Sequence, residues 1–380
     1  MVELINQIRG ELTSRERLIR TFKGELIDRI ATYDILHNID LIEYLTDDKV
    51  TPKNAEDLIC KATSKILDLV RHFSIPKNLE PRIIKDSDGY VYKMEWWTGS
   101  IVSRPFTDLA GAKHVMEQDI ERIYECIEKK KICRPALFHL SLFDENFEYF
   151  DEVIENFNRI SDKLGETVML VPESAGPVII AETRFDFKWW TYLYHDFPEL
   201  SLRYLDALND YEIARVDSFA PKLHTPVSFT SEPAGTNDSL IYSLEFNLNV
   251  ILPRVRNLVE HWKSYGYYHI YFADGYKWPI LDEVISWGLV YAVDPFEPLA
   301  HMDVAKFRNK YPDITICQPI DCQNLLYTGT PDEIRKATIK AIEDAGAKRI
   351  IIGSTSEIHP NVPVKNALAM YEAAMNYKKE

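Results

Sequence analysis

In the last third of the chain, acids, thiols and an imidazole recur where a short apolar run gives way to a loop. The blocks are Phe272-Ala273-Asp274-Gly275, Asp294-Pro295-Phe296-Glu297-Pro298, Cys317-Gln318-Pro319-Ile320-Asp321-Cys322 and Gly353-Ser354-Thr355-Ser356-Glu357-Ile358-His359. Glu173 and Glu232 stand in the same kind of position. Such groups, brought to one rim, can protonate a leaving oxygen or coordinate it through a metal. A mixture of carboxylates, thiols and imidazoles suits Zn²⁺ better than Mg²⁺, although no single spacing identifies the ligands. The expected catalytic acids are Glu232, Asp274, Glu297 and Asp321, and the candidate metal ligands are His301, Cys317 and Cys322. Candidate substrate contacts are Trp97, Arg104, Glu173, Trp190, Phe272 and His359. The pairs Trp96-Trp97 and Trp189-Trp190 offer walls for a flat ligand.

Plain alternatives stay open for each of these. Asp274 before Gly275 fits a turn cap, Glu232 an exposed loop acid, Glu297 an ion pair, and Cys317 and Cys322 small buried hydrophobes. His301 and His359 fit ordinary imidazoles, the aromatics fit core packing, and Arg184 reads as a solvated surface residue.

The elements that must carry these groups alternate regularly from about residue 135. Apolar runs at 136–140, 168–171, 227–229, 269–272, 289–293, 314–316 and 349–352 are separated by helical spacing at 147–164, 198–215, 246–265, 277–287, 302–310 and 331–345. With one more strand at 28–34, repeated β-then-α units imply parallel strands with right-handed crossovers. The leading architecture is a closed (β/α)8 TIM-type barrel, whose chemistry gathers at strand C-termini. An open doubly wound sheet is the runner-up, without a GxGxxG or GxxxxGK fingerprint to support it. The spacing predicts a helix at 13–24 capped by Ser14, a helix at 51–71, a hairpin at 86–98 and a charged helix at 109–130. No linker or repeat divides the chain. It is expected to be one domain, 1–380, with helices and a hairpin in 1–130 packed on the βα units of 131–380.

At 380 residues and 46% hydrophobic content the chain can bury a large core. Its 59 acidic and 44 basic residues give a net charge of -15, which argues against nucleic acid or an anionic membrane as a partner. Five cysteines without a CxxC pair fit a reducing cytoplasm better than a disulfide framework. No apolar run reaches the roughly 18 residues of a membrane helix, and no signal-peptide pattern opens the chain.

An ordered set of short motifs resembles the uroporphyrinogen decarboxylase superfamily. They are Arg15-Glu16-Arg17, Lys23-Gly24-Glu25, Asp28-Arg29-Ile30, Asp274-Gly275, Glu297-Pro298 with Met302-Asp303, Ile320-Asp321, Gly329-Thr330-Pro331-Asp332-Glu333 and Ile358-His359-Pro360-Asn361-Val362-Pro363. The resemblance implies a (β/α)8 barrel and one of two chemistries, porphyrinogen decarboxylation or methyl exchange with corrinoid proteins. The Arg-Gln-Ala-Gly-Arg loop of the decarboxylases has no counterpart here. The thiol-directed methyltransferases carry a His-x-Cys pair and a further Cys for zinc, and Phe272, Asp274 and Ser354 stand at the matching positions. The segments at 34–44 and 95–106 are more similar to members encoded with anaerobic O-demethylation systems.

The resemblance therefore implies a methyltransferase that takes methyl from a small donor, expected to be a methoxylated aromatic, to the cobalt of a separate corrinoid (cobalamin) protein. Zinc or an acid would activate the leaving oxygen. No Asp-x-His-x-x-Gly cobalamin motif is present in the chain itself. A homodimer is compatible with this reading, and a decarboxylase or a non-catalytic ligand-binding barrel are the alternatives.

Overall fold

Thr13 opens the first described helix, Ser14–Lys23, with a reciprocal cap. Its hydroxyl accepts from Glu16 N (3.2 Å) while the Glu16 carboxylate accepts from Thr13 N (3.0 Å), so the cap lies one residue before the expected Ser14. Gly24 ends the helix at φ 71, where its N–H reaches the Arg20 and Thr21 carbonyls. The computed structural model describes residues 10–71, 73, 75, 78–136, 147–172 and 174–378.

Twelve strands follow in chain order: β1 Ala31–Asp34, β2 Leu69–Val70, β3 Arg82–Lys85, β4 Val91–Met94, β5 Gly99–Ser103, β6 Val168–Met169, β7 Ser174–Ala175, β8 Val227–Pro233, β9 Tyr268–Asp274, β10 Val290–Asp294, β11 Thr315–Cys317 and β12 Ile350–Ile352. Nine of them form one parallel sheet in the order β6-β2-β1-β12-β11-β10-β9-β8-β7. Its two edges belong to one stretch of chain. Leu170 N donates to Val70 O on one side (2.8 Å), and Val171 N donates to Val227 O on the other (3.3 Å). The sheet therefore closes on itself, and because β6 and β7 share one stave, nine strands make the eight staves of a (β/α)8 barrel.

Alternate residues of these strands fill the cylinder. Tyr33, Leu69, Leu170, Phe229, Ile270, Phe272, Ala292, Cys317 and Ile351 share one apolar cluster, to which the Ser14–Lys23 helix adds Leu18 and Phe22. Phe22 stacks on Tyr268 (5.6 Å) and meets Tyr291 edge-on (6.4 Å), so this helix plugs the end of the barrel where the strands begin. A buried ion cluster holds the plug. Asp68 accepts from Ser14 Oγ (2.8 Å), Arg17 (2.6 Å), Arg29 (2.7 and 2.9 Å) and Thr32 N (3.0 Å), while Arg17 also grips Asp28 (2.8 Å).

Two expectations change here. The helix expected over 51–71 stops at Ile66, and Leu69–Val70 is the second stave. The run Ile66-Leu67-Asp68-Leu69-Val70 satisfies helical and strand periods alike, and the anchoring of Asp68 by two arginines decides for the strand. Of the strand expected at 136–140, only Ala136 is among the described residues. Ala136 ends a 3-10 turn, Arg134–Ala136, and 137–140 lie outside the described residues.

The expected hairpin is an antiparallel sheet of three strands, β3-β4-β5, whose β4–β5 turn carries Trp96 and Trp97. The third strand escapes the pattern because Gly99–Ser103 is largely exposed and lacks alternation. No helix among the described residues is long and apolar enough to cross a membrane.

Candidate active site

Strand parity decides which groups enter the barrel. Phe272, Ala292 and Cys317 point inward, so Asp274 and Asp294, two residues beyond Phe272 and Ala292, stand on the same face at the C-terminal rim. Asp294 is fully buried, and neither of its carboxyl oxygens has a well-directed hydrogen bond. The same holds for the buried Tyr33 hydroxyl and Gln318 Oε1. Burial pushes the Asp294 carboxyl up to about 8, against the pull of Arg71 and Lys277 and of the nearby Tyr33 phenol. Burial thus favours the protonated form of Asp294. Tyr33 is driven well above the ordinary phenol range by burial and by Asp294.

Arg71 follows the second stave and spans the mouth. Its guanidinium lies over the Phe272 ring (5.2 Å), donates to Ser356 O (2.9 Å) and contacts Glu357 (3.5 Å). Lys277, also fully buried, donates from Nζ to Pro295 O (2.7 Å). Burial lowers it to about 8, while Glu297, Asp274 and Asp294 pull the other way. Glu297 accepts from Gly275 N, tying the loop after β9 to the loop after β10.

On the β1, β11 and β12 side, a cleft of about 470 Å³ opens between the loops and the β4–β5 turn. Trp96, Trp97, Tyr327, His359 and Cys322 are among its lining residues, and the described ones include no Lys or Arg. Trp97 packs edge-on to His359 (5.4 Å) and tilted against His37 (5.7 Å). His37 Nδ1 lies 3.2 Å from Glu357. Burial alone would raise the Glu357 carboxyl, but His37, Arg71 and His359 outweigh it and hold it at about 2. Burial lowers His359 despite Glu357. Through Glu357 and Arg71 the aromatic cleft is joined to the acid on the barrel axis.

Of the expected catalytic acids, the structure brings Asp274 and Glu297 together beside Lys277. It does not bring Glu232 or Asp321 to them. Glu232 faces outward from β8, packed against Gly176 so tightly that a Cβ there would collide with it, at the start of the helix Pro177–Phe185. Burial and Glu182 raise its carboxyl well above the usual range. Asp321 accepts from the backbone N–H groups of Gln323 (2.9 Å), Asn324 (3.2 Å) and Leu325 (3.0 Å), which makes it a cap for the turn Leu325–Thr328.

Of the expected substrate contacts, Trp97 and His359 line the cleft and Phe272 lies inside the barrel. Trp190 is core, 1% exposed. Arg104 is bound to the Thr183 and Arg184 carbonyls (both 3.0 Å). Arg184 itself is buried and bidentate to Asp119 (2.8 and 2.9 Å), not solvated. Glu173 lies outside the described residues.

The candidate metal ligands stand apart. His301 is exposed and paired with Asp238 (3.1 Å), Cys317 is inside the cylinder, and Cys322 packs on Thr355, with burial pushing its thiol up to about 11. Among the described residues no three His, Cys, Asp or Glu side chains are grouped to hold a metal ion. The described donor set does not fit zinc.

Sequence reasoning missed Asp294, Tyr33, Arg71 and Lys277. Part of the signal for Asp294 was present, since it stands two residues beyond Ala292 on one strand and so shares its inner face. Lys277 and Arg71 carried none, because nothing in their neighbours marks a buried cation.

The model of the family described as uroporphyrinogen decarboxylase (URO-D) matches residues 127–377, and the chain belongs to that family. No curated protein matches it. A solved methyltransferase from Methanosarcina mazei shares the fold at a TM-score of 0.65 with 17% identity, over 96% of this chain and 98% of that one. A putative vitamin-B12-independent methionine synthase from Listeria monocytogenes aligns over 93% of this chain and 95% of that one, with TM-score 0.45 and 10% identity.

Proposed function

We propose that this chain is a methyltransferase that removes methyl from a small, uncharged aromatic methyl ether and passes it to a corrinoid carried by a separate protein. Asp294 would be the acid that protonates the leaving oxygen. The observation that carries this reading is Asp294 itself, a fully buried carboxyl that burial favours in its protonated form, without a well-directed hydrogen bond, on the inner face at the barrel mouth beside Tyr33. An aryl oxide is a poor leaving group unless its oxygen gains a proton as the methyl departs. The ether C–O bond breaks, methyl leaves toward the cobalt nucleophile, and the Asp294 proton ends on the phenol oxygen. Trp96 and Trp97 would hold the ring, and Arg71 would hold the Asp294 side of the mouth electrostatically.

A porphyrinogen decarboxylase would need cations to receive several carboxylates, and the described residues lining the cleft include none. The test is a cobalamin methylation assay with cob(I)alamin over a panel of aromatic methyl ethers, with elemental analysis of the same preparation. Methylcobalamin and the free phenol should form in equal amounts. Carbon dioxide release from a carboxylated substrate, with no methyl transfer from any ether, would sink the proposal. Within this reading, Trp97→Ala removes one wall of the cleft and should raise KM for the aromatic donor about tenfold while leaving kcat within about threefold. A fall in kcat with unchanged KM would place the donor elsewhere.

A further inference from the structure

The strand Ala31–Asp34 turns its last residue away from the barrel axis. Ala31 and Tyr33 belong to the inner cluster, so Asp34 faces the outer wall, where it is fully buried. Its carboxylate accepts three hydrogen bonds there. Ser354 donates from N (2.9 Å) and from Oγ (2.5 Å), and the Tyr371 hydroxyl donates from the helix Val364–Met375 (2.9 Å). Two of the three bonds thus fix the start of the loop that follows β12. The chain beyond Asp34 holds the far end of the same loop. Ile358 N donates to Ile35 O (2.9 Å), and Asn38 Nδ2 donates to His359 O (2.8 Å) and Val362 O (2.9 Å).

Between these anchors stand the residues that grip Arg71. Ser356 O accepts from the Arg71 guanidinium (2.9 Å) and from Gln318 Nε2 (3.3 Å), and the same amide also reaches Tyr33 O (3.3 Å). Glu357 contacts both the Arg71 guanidinium (3.5 Å) and His37 (3.2 Å). Ser356 has φ 154, a backbone conformation that side chains rarely adopt, so the bonds around it must hold it there. Arg71 is thereby set over the Phe272 ring (5.2 Å), and Phe272 is the register partner of Asp294 on the adjacent strand. A continuous chain of printed contacts therefore runs from behind the wall to the acid at the mouth.

We propose that Asp34 is a positioning residue for this mouth: by fixing the start of the loop after β12 from behind the barrel wall, it sets where the Arg71 guanidinium lies beside the Phe272–Asp294 pair. Asp34 is not catalytic, because it faces away from the interior and touches no reacting atom. Its bond to Tyr371 ties it to the helix, whereas its bonds to Ser354 tie it to the loop, so the two roles can be separated by substitution. The inference rests on the reading of Asp294 as the acid only for its consequence in turnover.

The experiment follows the Asp294 carboxyl by carbon-13 NMR titration of the full chain labelled at its aspartate carboxyl carbons, with Asp294→Asn identifying the signal. In Asp34→Ala the loop is released and Arg71 moves off, so the midpoint should rise from about 8 by about one unit. Loss of the Asp34 charge alone works the other way, easing ionisation of Asp294, so the sign of the change separates the two causes. Asp34→Asn keeps an oxygen for Ser354 N and Tyr371 and an amide for the Ser354 hydroxyl, and its midpoint should not rise. Ser354→Ala retains both the Asp34 charge and the main chain and should raise the midpoint by a smaller amount, which decides the matter if Asp34→Ala does not fold. Tyr371→Phe should lower Tm and leave the midpoint in place. A midpoint unmoved or lowered in Asp34→Ala, unmoved in Ser354→Ala, or raised as much in Asp34→Asn as in Asp34→Ala would overturn the assignment. The titration needs no turnover, so the expected shifts in a chain that moves no methyl would keep this inference and end the reading of Asp294 as the acid.

Discussion

Asp294→Asn lowers kcat for methyl-ether cleavage by about 10²- to 10⁴-fold, the range for loss of a positioned general acid, with KM nearly unchanged. The amide has the volume and burial of the carboxyl but cannot give up a proton to the departing oxygen. The pH profile provides the second readout. Burial has raised the folded-state pKa of Asp294 from the ordinary 3.8 to about 8, so the native chain keeps this proton between those values while the unfolded chain does not. Activity that needs the acid is therefore present at neutral pH and is lost as pH rises through about 8. The same linkage makes the stability contributed by this raised group decline over that window. In Asp294→Asn the alkaline limb attributable to this group should disappear. Full turnover in the variant, with the wild-type pH limb intact, would move the acid to another residue. Tyr33 is the first to test, by Tyr33→Phe.

Asp68→Ala destabilises the fold by about 3–5 kcal/mol, measured by denaturant midpoint at constant slope. The carboxylate is fully buried and shared by Arg17 and Arg29, with Ser14 and Thr32 completing its hydrogen bonds. Its removal leaves two guanidinium groups facing each other without the charge that brought them in. Arg17 keeps Asp28, so the loss is not total. Arginine pairing also depresses the acids. Asp28 is held at about 2, with Arg17 and the Leu12 N–H outweighing burial, and Asp68 is lowered by both arginines. A depressed folded-state pKa contributes stability that is complete above the unfolded value near 3.8 and is lost as pH falls through about 2. Wild-type chain should therefore lose stability between about pH 4 and pH 2, and Asp68→Ala should lose less over that range. A variant within about 1 kcal/mol of wild type would show that the plug helix is held by Leu18 and Phe22 alone.

The barrel was legible because its later staves are short apolar runs set between helical periods, and 227–229, 269–272, 289–293, 314–316 and 349–352 all fall on observed strands. The second stave was not, since Leu69–Val70 is too short to display a period and continues the apolar face of the preceding helix. The site was legible by place and less so by residue. Asp274, Glu297, Phe272, Trp97 and His359 stand at the mouth or in its cleft. Glu232 and Asp321 have the same sequence signature, an acid after an apolar run, but one faces the outer wall and the other caps a turn. Side-chain direction and backbone satisfaction separate them, and neither is visible without the neighbouring strand. Arg71 and Lys277 depend wholly on tertiary burial, so no local pattern announces them.

The helix that carries Leu18 and Phe22 stoppers one end of the cylinder, and this constrains the order of events in the proposed reaction. With that end closed, the donor of the proposed reaction enters at the opposite mouth, so it must be seated before a bulky acceptor protein covers that opening, and the demethylated phenol must wait behind that acceptor until it departs. Turnover would then follow a compulsory sequence, with the small molecule first in and last out.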